Sequence, residues 1–361
     1  MSKALDVATI KKDFPIFERT VRDGQRLVYL DSGATSQKPN SVIDAELNFY
    51  RTSNAAVHRG AHQLAEEATE SFENARSIVA EFIGASSDEI VFTKSATESI
   101  NLVAYALTEK VKPGDRIVVS EMEHHANLIP WQQLAKRTGA ELAWFEVTPE
   151  GRLDLSNIES VMTPNTAIAA ITHQSNVLGT INPIEPIVKR AQSVGAEVLI
   201  DACQSVPHMA VDVQKLGVDY LTFSGHKALG PTGVGVLWGR NLETLPPFLF
   251  GGSMIENVTM TDATWAPAPK KFEAGVPNMA QAIGLGAALK YLTNSGVNSI
   301  QDHELYLAKA LLAGLADIKD LKVFGPTELI DRGGTVSFTV EGIHPHDLGQ
   351  FLDAKGAVSY T

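Results

Sequence analysis

Two residues, Lys227 and Asp201, suggest covalent chemistry on a carbonyl group. Lys227 ends the segment SGHK at 224–227, directly after an apolar run, where its amine is placed to form a Schiff base. A lysine at such a position is more often a surface charge. Asp201 favours the chemical interpretation, because it follows the apolar run VLI at 198–200, where a carboxylate is costly to bury without a partner.

The pair fits the chemistry of pyridoxal 5′-phosphate (PLP). A carboxylate held against the pyridine nitrogen keeps that nitrogen protonated, so that the ring can accept carbanion charge. Taken alone, Asp201 is equally well explained as the N-cap of a helix. Together the two residues predict that Lys227 holds PLP as a Schiff base and that Asp201 supports the ring as an electron sink.

The phosphate of such a cofactor needs hydrogen-bond donors, and the segment SATE at 95–98 supplies them. This segment follows an apolar run and opens a helical pattern, so the free N–H groups of Ala96 and Thr97, together with the helix dipole, form an anion site. A plain helix N-cap is the alternative. Ser224 and His226 are further donor candidates from the lysine loop.

Three more polar side chains follow apolar runs and are candidates for contact with the cofactor ring. His124, in the segment EHHAN, could stack on a flat ring and move protons near neutral pH, although an ordinary loop histidine is the alternative. Asn176 and Gln204 could hydrogen-bond the ring oxygen or could equally cap a turn. We expect no metal site.

Cys203 is the single cysteine of the sequence, which excludes an intramolecular disulfide and fits a reducing compartment. Because side chains alternate along an extended chain, Cys203 should lie on the same side as Asp201, beneath the ring. We therefore expect it to pack as a small apolar group, which is the common role of a free cysteine. A nucleophilic role is the alternative.

Composition restricts the class of protein. The 361 residues are 44% hydrophobic and 20% charged, as in a globular protein long enough for two domains. The formal net charge of −12 disfavours nucleic-acid binding, which needs a basic surface. The N-terminus lacks the apolar core of a signal peptide, and no apolar run approaches the roughly 20 residues of a membrane helix. We expect a cytoplasmic protein with neither nucleic-acid nor membrane partners.

Short β-branched runs alternate with helical patterns, which predicts an α/β protein with a mostly parallel sheet covered on both faces. The candidate strands are Val28–Asp31, Glu89–Thr93, Arg116–Ser120, Leu142–Val147, Ala167–Thr172, Glu197–Asp201 and Asp219–Ser224. Ligands of such sheets bind beyond the carboxyl ends of the strands. Five polar clusters lie there, which predicts one shared site: SATES, EHHAN, HQSN, DACQ and SGHK.

The pattern changes after Phe272. Two long helices are predicted at about 280–294 and 297–318, with Leu64–Ile83 as an earlier amphipathic helix. Strands near 321–324 and 335–340 and a helix from His346 follow. These elements predict a second, smaller α+β domain.

Eight motifs resemble the SufS-type cysteine desulfurases, PLP enzymes of the class V aminotransferase family, over essentially the whole chain. They are LDSGATSQKP at 30–39, AAVHRGAH at 55–62, SATESINLVA at 95–104, EMEHHANLIPWQ at 121–132, ITHQSNVLGTINP at 171–183, DACQSVPHMAVDVQ at 201–214, FSGHKALGPTGVGVLWG at 223–239 and FEAGVPN at 272–278. The resemblance implies the type I aminotransferase fold of PLP enzymes, a homodimer with a mainly parallel seven-stranded sheet in each subunit. The large PLP-binding domain would span residues 20–278, and residues 1–19 and 279–361 would form the small domain, truncated at its carboxyl end.

The resemblance also assigns roles to site residues. Lys227 and His124 would be catalytic, with His124 stacked on the ring and active in proton transfer. Asp201 would pair with the ring nitrogen, Gln204 would bond the ring oxygen, and Asn176 would lie near the substrate. The implied cofactor-binding residues are Ala96, Thr97, His124, Asn176, Asp201, Gln204, Ser224, His226 and Lys227.

The implied reaction removes sulfur from L-cysteine, giving L-alanine and a persulfide that passes to a sulfur-acceptor protein of iron–sulfur cluster assembly. Selenocysteine lyases, cysteine sulfinate lyases and other class V transaminases or lyases would share every motif above. A catalytically silent PLP-fold binding subunit is an alternative of another class. Such a subunit would have no physical need of Lys227 or Asp201.

Relatives typically carry the sulfur-accepting cysteine in an RxGHHC loop soon after the helix at 346–355, with a carboxylate-binding arginine beyond it. The sequence ends at Thr361 in the segment GAVSYT, which has neither residue. We therefore expect an incomplete desulfurase, with its cofactor site but without the nucleophilic cysteine. The FEAGVPN loop would reach the partner subunit's phosphate, where many relatives have a threonine. Met279 stands near that place and has no hydroxyl.

Overall fold

The structure is a computed structural model that describes residues 4–361. Its α-helices are α1 (Val7–Lys12), α2 (Asn40–Thr52), α3 (Gln63–Ile83), α4 (Ala96–Ala106), α5 (Ile129–Thr138), α6 (Ile158–Val161), α7 (Ile184–Val194), α8 (Val213–Leu216), α9 (Met279–Ser295), α10 (Val297–Ala316) and α11 (Pro345–Ala354). Its β-strands are β1 (Thr20–Val21), β2 (Gln25–Arg26), β3 (Val28–Tyr29), β4 (Ile90–Thr93), β5 (Arg116–Ser120), β6 (Glu141–Phe145), β7 (Thr166–Thr172), β8 (Glu197–Asp201), β9 (Tyr220–Ser224), β10 (Gly235–Gly239), β11 (Ile255–Val258), β12 (Ala263–Trp265), β13 (Leu321–Phe324), β14 (Ser337–Val340) and β15 (Ala357–Val358).

Seven strands form the central sheet, in the order β4-β10-β9-β8-β7-β5-β6. Strand β10 runs antiparallel to both of its neighbours, and the other pairs are parallel. The prediction of a mainly parallel seven-stranded sheet in an α/β fold is therefore confirmed. Because β4, β5, β7, β8 and β9 share a direction, their carboxyl ends meet at one edge of the sheet.

Apolar side chains alternate between the two faces of this sheet. In β5, Ile117 and Val119 belong to the apolar cluster that includes residues of α4 and α5. Val118 between them belongs to the cluster on the other face, with residues of α3, α7 and α9. Both clusters exclude water from the sheet, and this burial is the dominant favourable term in folding.

One predicted strand has a different role from the one expected. Val28–Asp31 contributes only β3, which pairs in parallel with β15 and lies outside the central sheet. The seventh strand of the sheet is instead β10, at Gly235–Gly239. Apolar and β-branched runs predict that a strand exists, but the choice of its partner depends on contacts far away along the chain.

The elements after β12 pack partly on the earlier ones. Helix α9 lies against α2 and α3, α10 leads into the antiparallel pair β13–β14, and α11 precedes β15. Arg22 forms an ion pair of 2.5 Å with Asp353 of α11. The division into a large domain at 20–278 and a small domain at 1–19 and 279–361 stays a prediction.

A buried ion pair holds the FEAGVPN loop against the sheet. The Arg76 guanidinium of α3 donates to both carboxylate oxygens of Glu273, at 2.7 and 2.9 Å. The Phe92 N–H in β4 also donates to Glu273, at 2.8 Å. Arg76 is 2% exposed, so the pair is shielded from solvent. Either charge would be costly to bury without the other, so the ion pair holds the loop firmly against α3 and β4.

Candidate active site

The residues predicted for the site lie on the loops that follow β4, β5, β7, β8 and β9. Asp201 is the last residue of β8, and Ser224 is the last residue of the neighbouring β9. Lys227 ends the short 3₁₀ helix Gly225–Lys227 that follows β9. The five polar clusters therefore meet at the carboxyl edge of the sheet, as the sequence pattern predicts.

Asp201 is buried, with 6% of its surface exposed. Its Oδ1 accepts a hydrogen bond of 3.0 Å from the Cys203 N–H. Its Oδ2 accepts no N–H or O–H hydrogen bond within residues 4–361, although the Cys203 thiol interacts with this carboxylate. A carboxylate in a buried residue is costly without a strong partner, and a protonated ring nitrogen would supply one.

Lys227 is half-buried, and its Nζ has no hydrogen bond or ion pair in the part of the chain that the structure describes. Its charge nevertheless reaches the other candidate residues. Burial lowers the pKa of His124, the charge of Lys227 lowers it further, and Asp201 opposes the decrease. The amine is therefore available to a carbonyl group, close to both His124 and Asp201.

The lysine loop is held in place by the segment 35–38 of the LDSGATSQKP motif. The His226 carbonyl accepts hydrogen bonds from Ser36 N at 3.0 Å, Ser36 Oγ at 2.9 Å and Thr35 Oγ1 at 3.2 Å. Lys38 Nζ donates to the same carbonyl at 3.1 Å. Burial lowers the pKa of Lys38 to about 8. The sequence pattern of this motif does not indicate this structural role.

The residues of the predicted anion site lie at the start of α4. Ser95 is the N-cap of the helix, and the Ala96 N–H donates to Ser224 Oγ at 2.9 Å. Thr97 is exposed, and its hydroxyl makes no hydrogen bond to any described residue. A Cβ on Gly235 would lie 2.5 Å from Ser95 Cα, so only glycine allows β10 to approach the helix start this closely. The site combines free donors with the positive end of the helix.

His226 is a neutral side chain at pH 7. Burial, with the charges of Lys227 and Lys38, lowers its pKa to about 4. Its Nδ1 lies 3.2 Å from Thr35 Oγ1. The single hydrogen of the Thr35 hydroxyl can serve either the His226 carbonyl or Nδ1, and His226 can donate to an anion from Nε2 only when that hydrogen faces Nδ1.

The remaining candidates differ in how firmly they are held. His124 is partly exposed, and its Nδ1 accepts from Ala126 N at 3.1 Å. Gln204 is buried and donates from Nε2 to Gly33 O at 2.8 Å, which leaves it one further amide hydrogen. Asn176 is half-buried, and its side chain makes no hydrogen bond within the described ranges.

Cys203 packs in the apolar core. It is 8% exposed and belongs to the core cluster beneath β8. Its Sγ lies 3.9 Å from Ser224 Oγ. Burial, with a contribution from Asp201, raises the pKa of its thiol. Because the thiolate is the nucleophilic form, Cys203 is poorly suited to attack sulfur at neutral pH.

The FEAGVPN loop presents a different residue from the one considered in the sequence. Met279 is the first residue of α9 and packs against the core of its own subunit. Val276 is the exposed residue of the loop, at 76%. The start of α9 turns Met279 inward, because the apolar face of this helix must meet α2 and α3.

Within residues 4–361, no group of three or more His, Cys, Asp or Glu residues is arranged to hold a metal ion. No helix in the described part of the chain combines the length and apolar character that a membrane span requires.

The donor set fits PLP. It offers the Lys227 amine and an Asp201 carboxylate oxygen, neither with an N–H or O–H partner among the described residues, and the exposed Thr97 hydroxyl at a helix N-terminus, all at one strand edge. PLP has a carbonyl carbon, a basic ring nitrogen and a phosphate to match them.

A protein-family model matches this chain, and similar known proteins include two sequences and one solved structure. The family model described as "Aminotransferase class-V" matches residues 28–360. A probable cysteine desulfurase of Streptomyces coelicolor is 56% identical over 360 residues, which cover 98% of this chain and 86% of that protein. Probable cysteine desulfurase 2 of Mycobacterium leprae is 52% identical with the same coverage. The apo structure of a cysteine desulfurase from Thermococcus onnurineus NA1 has a TM-score of 0.93 and 41% identity, and the match covers 99% of this chain and 88% of that one.

Proposed function

Since this chain belongs to the class-V aminotransferase family, we propose that it is a PLP-dependent cysteine desulfurase. It removes sulfur from L-cysteine, giving L-alanine and a persulfide. The observation that carries this proposal is the meeting of the unpaired Lys227 amine with the unpaired carboxylate oxygen of buried Asp201. The substrate, L-cysteine, is inferred from the cysteine desulfurases to which the chain is similar.

Seven residues would hold the cofactor. Lys227 would hold PLP covalently through Nζ, Asp201 Oδ2 would face the ring nitrogen, and Gln204 would give its remaining amide hydrogen to the ring oxygen. The phosphate donors would be Ala96, Thr97, Ser224 and His226. When bound, PLP supplies an electron sink conjugated with the α-carbon of an amino acid.

Asp201 holds a proton at the ring nitrogen. Its carboxylate is buried, so its attraction for that proton acts in a medium of low dielectric and is much stronger than it would be in water. The bond from Cys203 N occupies only Oδ1 and leaves Oδ2 free for this role. The predicted role of Asp201 as electron-sink partner is retained here as a proposal.

His124 gives a proton from Nε2. Its lowered pKa favours the neutral ring, and its Nδ1 accepts from Ala126 N and so carries no hydrogen. The single ring proton of neutral His124 is therefore on Nε2, the outer nitrogen. That position suits a donor facing the reacting substrate, with Asn176 as a further contact near it.

The sulfur acceptor is a thiolate other than Cys203, whose thiol is buried and protonated. We further propose that the protein works in the cytoplasm as a homodimer and passes sulfur to an acceptor protein of iron–sulfur cluster assembly. Support for the homodimer comes from the exposure of Val276 on a loop that is otherwise firmly held. The division into domains at 20–278 and at 1–19 with 279–361 belongs to the same proposal.

The test is the product formed from L-cysteine. PLP-loaded protein is incubated with L-cysteine and dithiothreitol as an external sulfur acceptor, and alanine, sulfide and keto acids are measured. Equal amounts of alanine and sulfide support the desulfurase. Formation of a keto acid in place of alanine would favour a transaminase, and absence of any change at the α-carbon would favour a silent binding subunit.

A further inference from the structure

Glu123 is a buried carboxylate that the proposed reaction does not use. It lies between the end of β5 at Ser120 and His124, and it is 9% exposed. Burial raises the pKa of Glu123 to about 8, against the opposing effect of its hydrogen bonds. An apolar side chain of similar size would avoid this cost, so packing alone does not account for a glutamate here.

Three donors converge on the Glu123 carboxylate. Its Oε1 accepts from Ser120 Oγ at 2.6 Å and from the Thr172 N–H at 2.9 Å. Its Oε2 accepts from Asn127 Nδ2 at 2.6 Å. Both ends of the group therefore face backbone or amide hydrogens.

The orientation of Asn127 is set by a neighbour. Asn127 Oδ1 accepts from Trp131 Nε1 at 2.9 Å, so its NH₂ group must face Glu123. Asn127 and Trp131 are both 0% exposed, and water cannot replace any of these bonds. A glutamine at position 123 would turn its own NH₂ against either Thr172 N–H or Asn127 NH₂. A protonated Glu123 avoids this conflict, because its single hydrogen can point to Ser120 Oγ, which then accepts this bond in place of donating it.

These bonds join the His124 loop to the strand that neighbours Asp201. Asn127 closes the 3₁₀ helix for which His124 is the N-cap. Thr172 is the last residue of β7 and stands opposite Asp201 in the register of β7 and β8. Glu123 thus connects both sides of the place where the ring of the cofactor would lie.

We propose that Glu123 is a positioning residue, which holds the His124 ring beside Asp201 and Lys227 through its bonds to Asn127 and Thr172. The inference rests on the proposed function in giving His124 a role in the reaction. The positioning itself concerns only residues of this chain.

The test swaps the hydrogen-bond acceptor at position 123 with the hydrogen-bond donor at position 127. Glu123→Gln places an amide against a donor and breaks the network at every pH. Asn127→Asp places a second carboxylate against Glu123, which breaks the network once Glu123 is ionised, above its pKa of about 8. In the double variant, the new amide at position 123 donates to the new carboxylate at position 127, which also accepts from Trp131 Nε1. The double variant should therefore restore what each single variant loses.

The first readout is the titration of His124 by NMR in PLP-free protein, assigned from the signals lost in His124→Gln. In Glu123→Gln the ring becomes more hydrated and moves away from the charge of Lys227, so its pKa should rise toward the ordinary value of about 6.5. The second readout is the dissociation constant of PLP, which should increase roughly tenfold in Glu123→Gln. Both values should return to those of the unaltered protein in the double variant.

Glu121→Gln is the matched control. Glu121 lies two residues away, is exposed, and accepts from Val147 N at 3.0 Å, a bond that a glutamine oxygen also accepts. We expect both readouts to be unchanged in this variant.

Two results would overturn the proposal. One is a folded Glu123→Gln protein in which the His124 pKa and the PLP affinity equal those of the unaltered protein. The other is a double variant that folds or titrates no better than Glu123→Gln alone. If the unaltered protein does not bind PLP, the proposed function fails, and the His124 titration in PLP-free protein still decides the positioning.

Discussion

Asp201 and Lys227 carry opposite charges at neighbouring strand ends, yet no ion pair joins them within the described chain. Two such groups close together without a mutual bond leave room for a third group between them. Each is costly without a partner, so a ligand that satisfies both gains binding energy from protein groups already in place. This arrangement also implies that PLP stabilises the fold by mass action.

The role of Asp201 can be separated from cofactor binding with Asp201→Asn. The amide keeps the shape of the side chain but cannot hold the ring nitrogen protonated. We expect exchange of the α-hydrogen of L-alanine or L-cysteine with deuterium, followed by NMR, to slow by a factor on the order of 100 or more, while much of the PLP stays bound. Exchange at the unaltered rate would remove Asp201 from the chemistry.

Glu123 should leave a mark on the pH dependence of stability. Its pKa rises from 4.5 to about 8 on folding, so the folded state favours the protonated form. Its contribution is therefore complete below pH 4.5 and is lost as the pH rises to about 8. Over this range the free energy of unfolding of the unaltered protein should fall relative to Glu123→Gln by up to about 1.4 kcal/mol per pH unit. The free energy of unfolding of each protein is measured with denaturant across this pH range. A constant difference between the two proteins would show that folding does not raise the pKa of Glu123 and would contradict the prediction.

At the scale of elements, distant segments hold the loops that carry the site. The segment 35–38 holds the lysine loop through the His226 carbonyl, and the Arg76–Glu273 pair holds the FEAGVPN loop. These contacts join parts of the chain that are far apart in sequence. They place the loops more firmly than the loops' own short 3₁₀ turns could.

Glu273→Ala should destabilise the protein strongly. The substitution leaves the Arg76 guanidinium buried, with Glu73 and the Ile90 carbonyl as its remaining hydrogen-bond partners among the described residues. We expect a loss of about 3–5 kcal/mol in the free energy of unfolding, measured with denaturant. Glu70→Ala on the exposed face of α3 is the control, and it should change stability by less than about 0.5 kcal/mol. Equal effects of the two substitutions would contradict the anchoring role of Glu273.

Local patterns in the sequence predict the strand ends of the site well, and long-range contacts poorly. Strands β5 and β8 match their predicted limits, because apolar runs followed by polar clusters mark where buried strands leave the core. Like Asp201, Glu123 is a carboxylate near a strand end, which is a sign of a functional role. The adjacent His124 already accounted for the EHHAN motif, so the sequence did not draw attention to Glu123. The bond from Asn127 to Glu123 and the pairing of β3 with β15 depend on tertiary packing, which no local pattern contains.

At the scale of the whole molecule, exposed apolar residues concentrate after β10. Phe250, Met260 and Val276 are 66%, 100% and 76% exposed, and Phe250 contacts Trp265 of β12. Phe250 and Trp265 form an exposed aromatic pair, and exposed apolar patches often mark surfaces that another protein covers. This region is where the proposed homodimer would bury apolar area, and dimerisation stays a prediction.

Sulfur transfer should not use Cys203. With PLP-loaded protein in excess over L-cysteine, the only other thiol present is this buried and protonated one. We expect no alanine under these conditions and no gain of a sulfur atom on Cys203 by mass spectrometry, because attack on sulfur needs an accessible thiolate. Alanine formation accompanied by a Cys203 persulfide, and abolished in Cys203→Ser, would identify Cys203 as the acceptor.

The central claim is that Lys227 holds PLP and gives it up to an amino-acid substrate. The most direct measurement is borohydride reduction of the desalted PLP-loaded protein, with and without L-cysteine, followed by peptide mass spectrometry. We predict a pyridoxyl adduct on the peptide that contains Lys227, its transfer to a small-molecule product when L-cysteine is present, and its loss in Lys227→Ala. The exposed Lys136→Ala serves as control and should behave as the unaltered protein. A lysyl adduct at another position, or one that persists at this site in Lys227→Ala, would contradict the account.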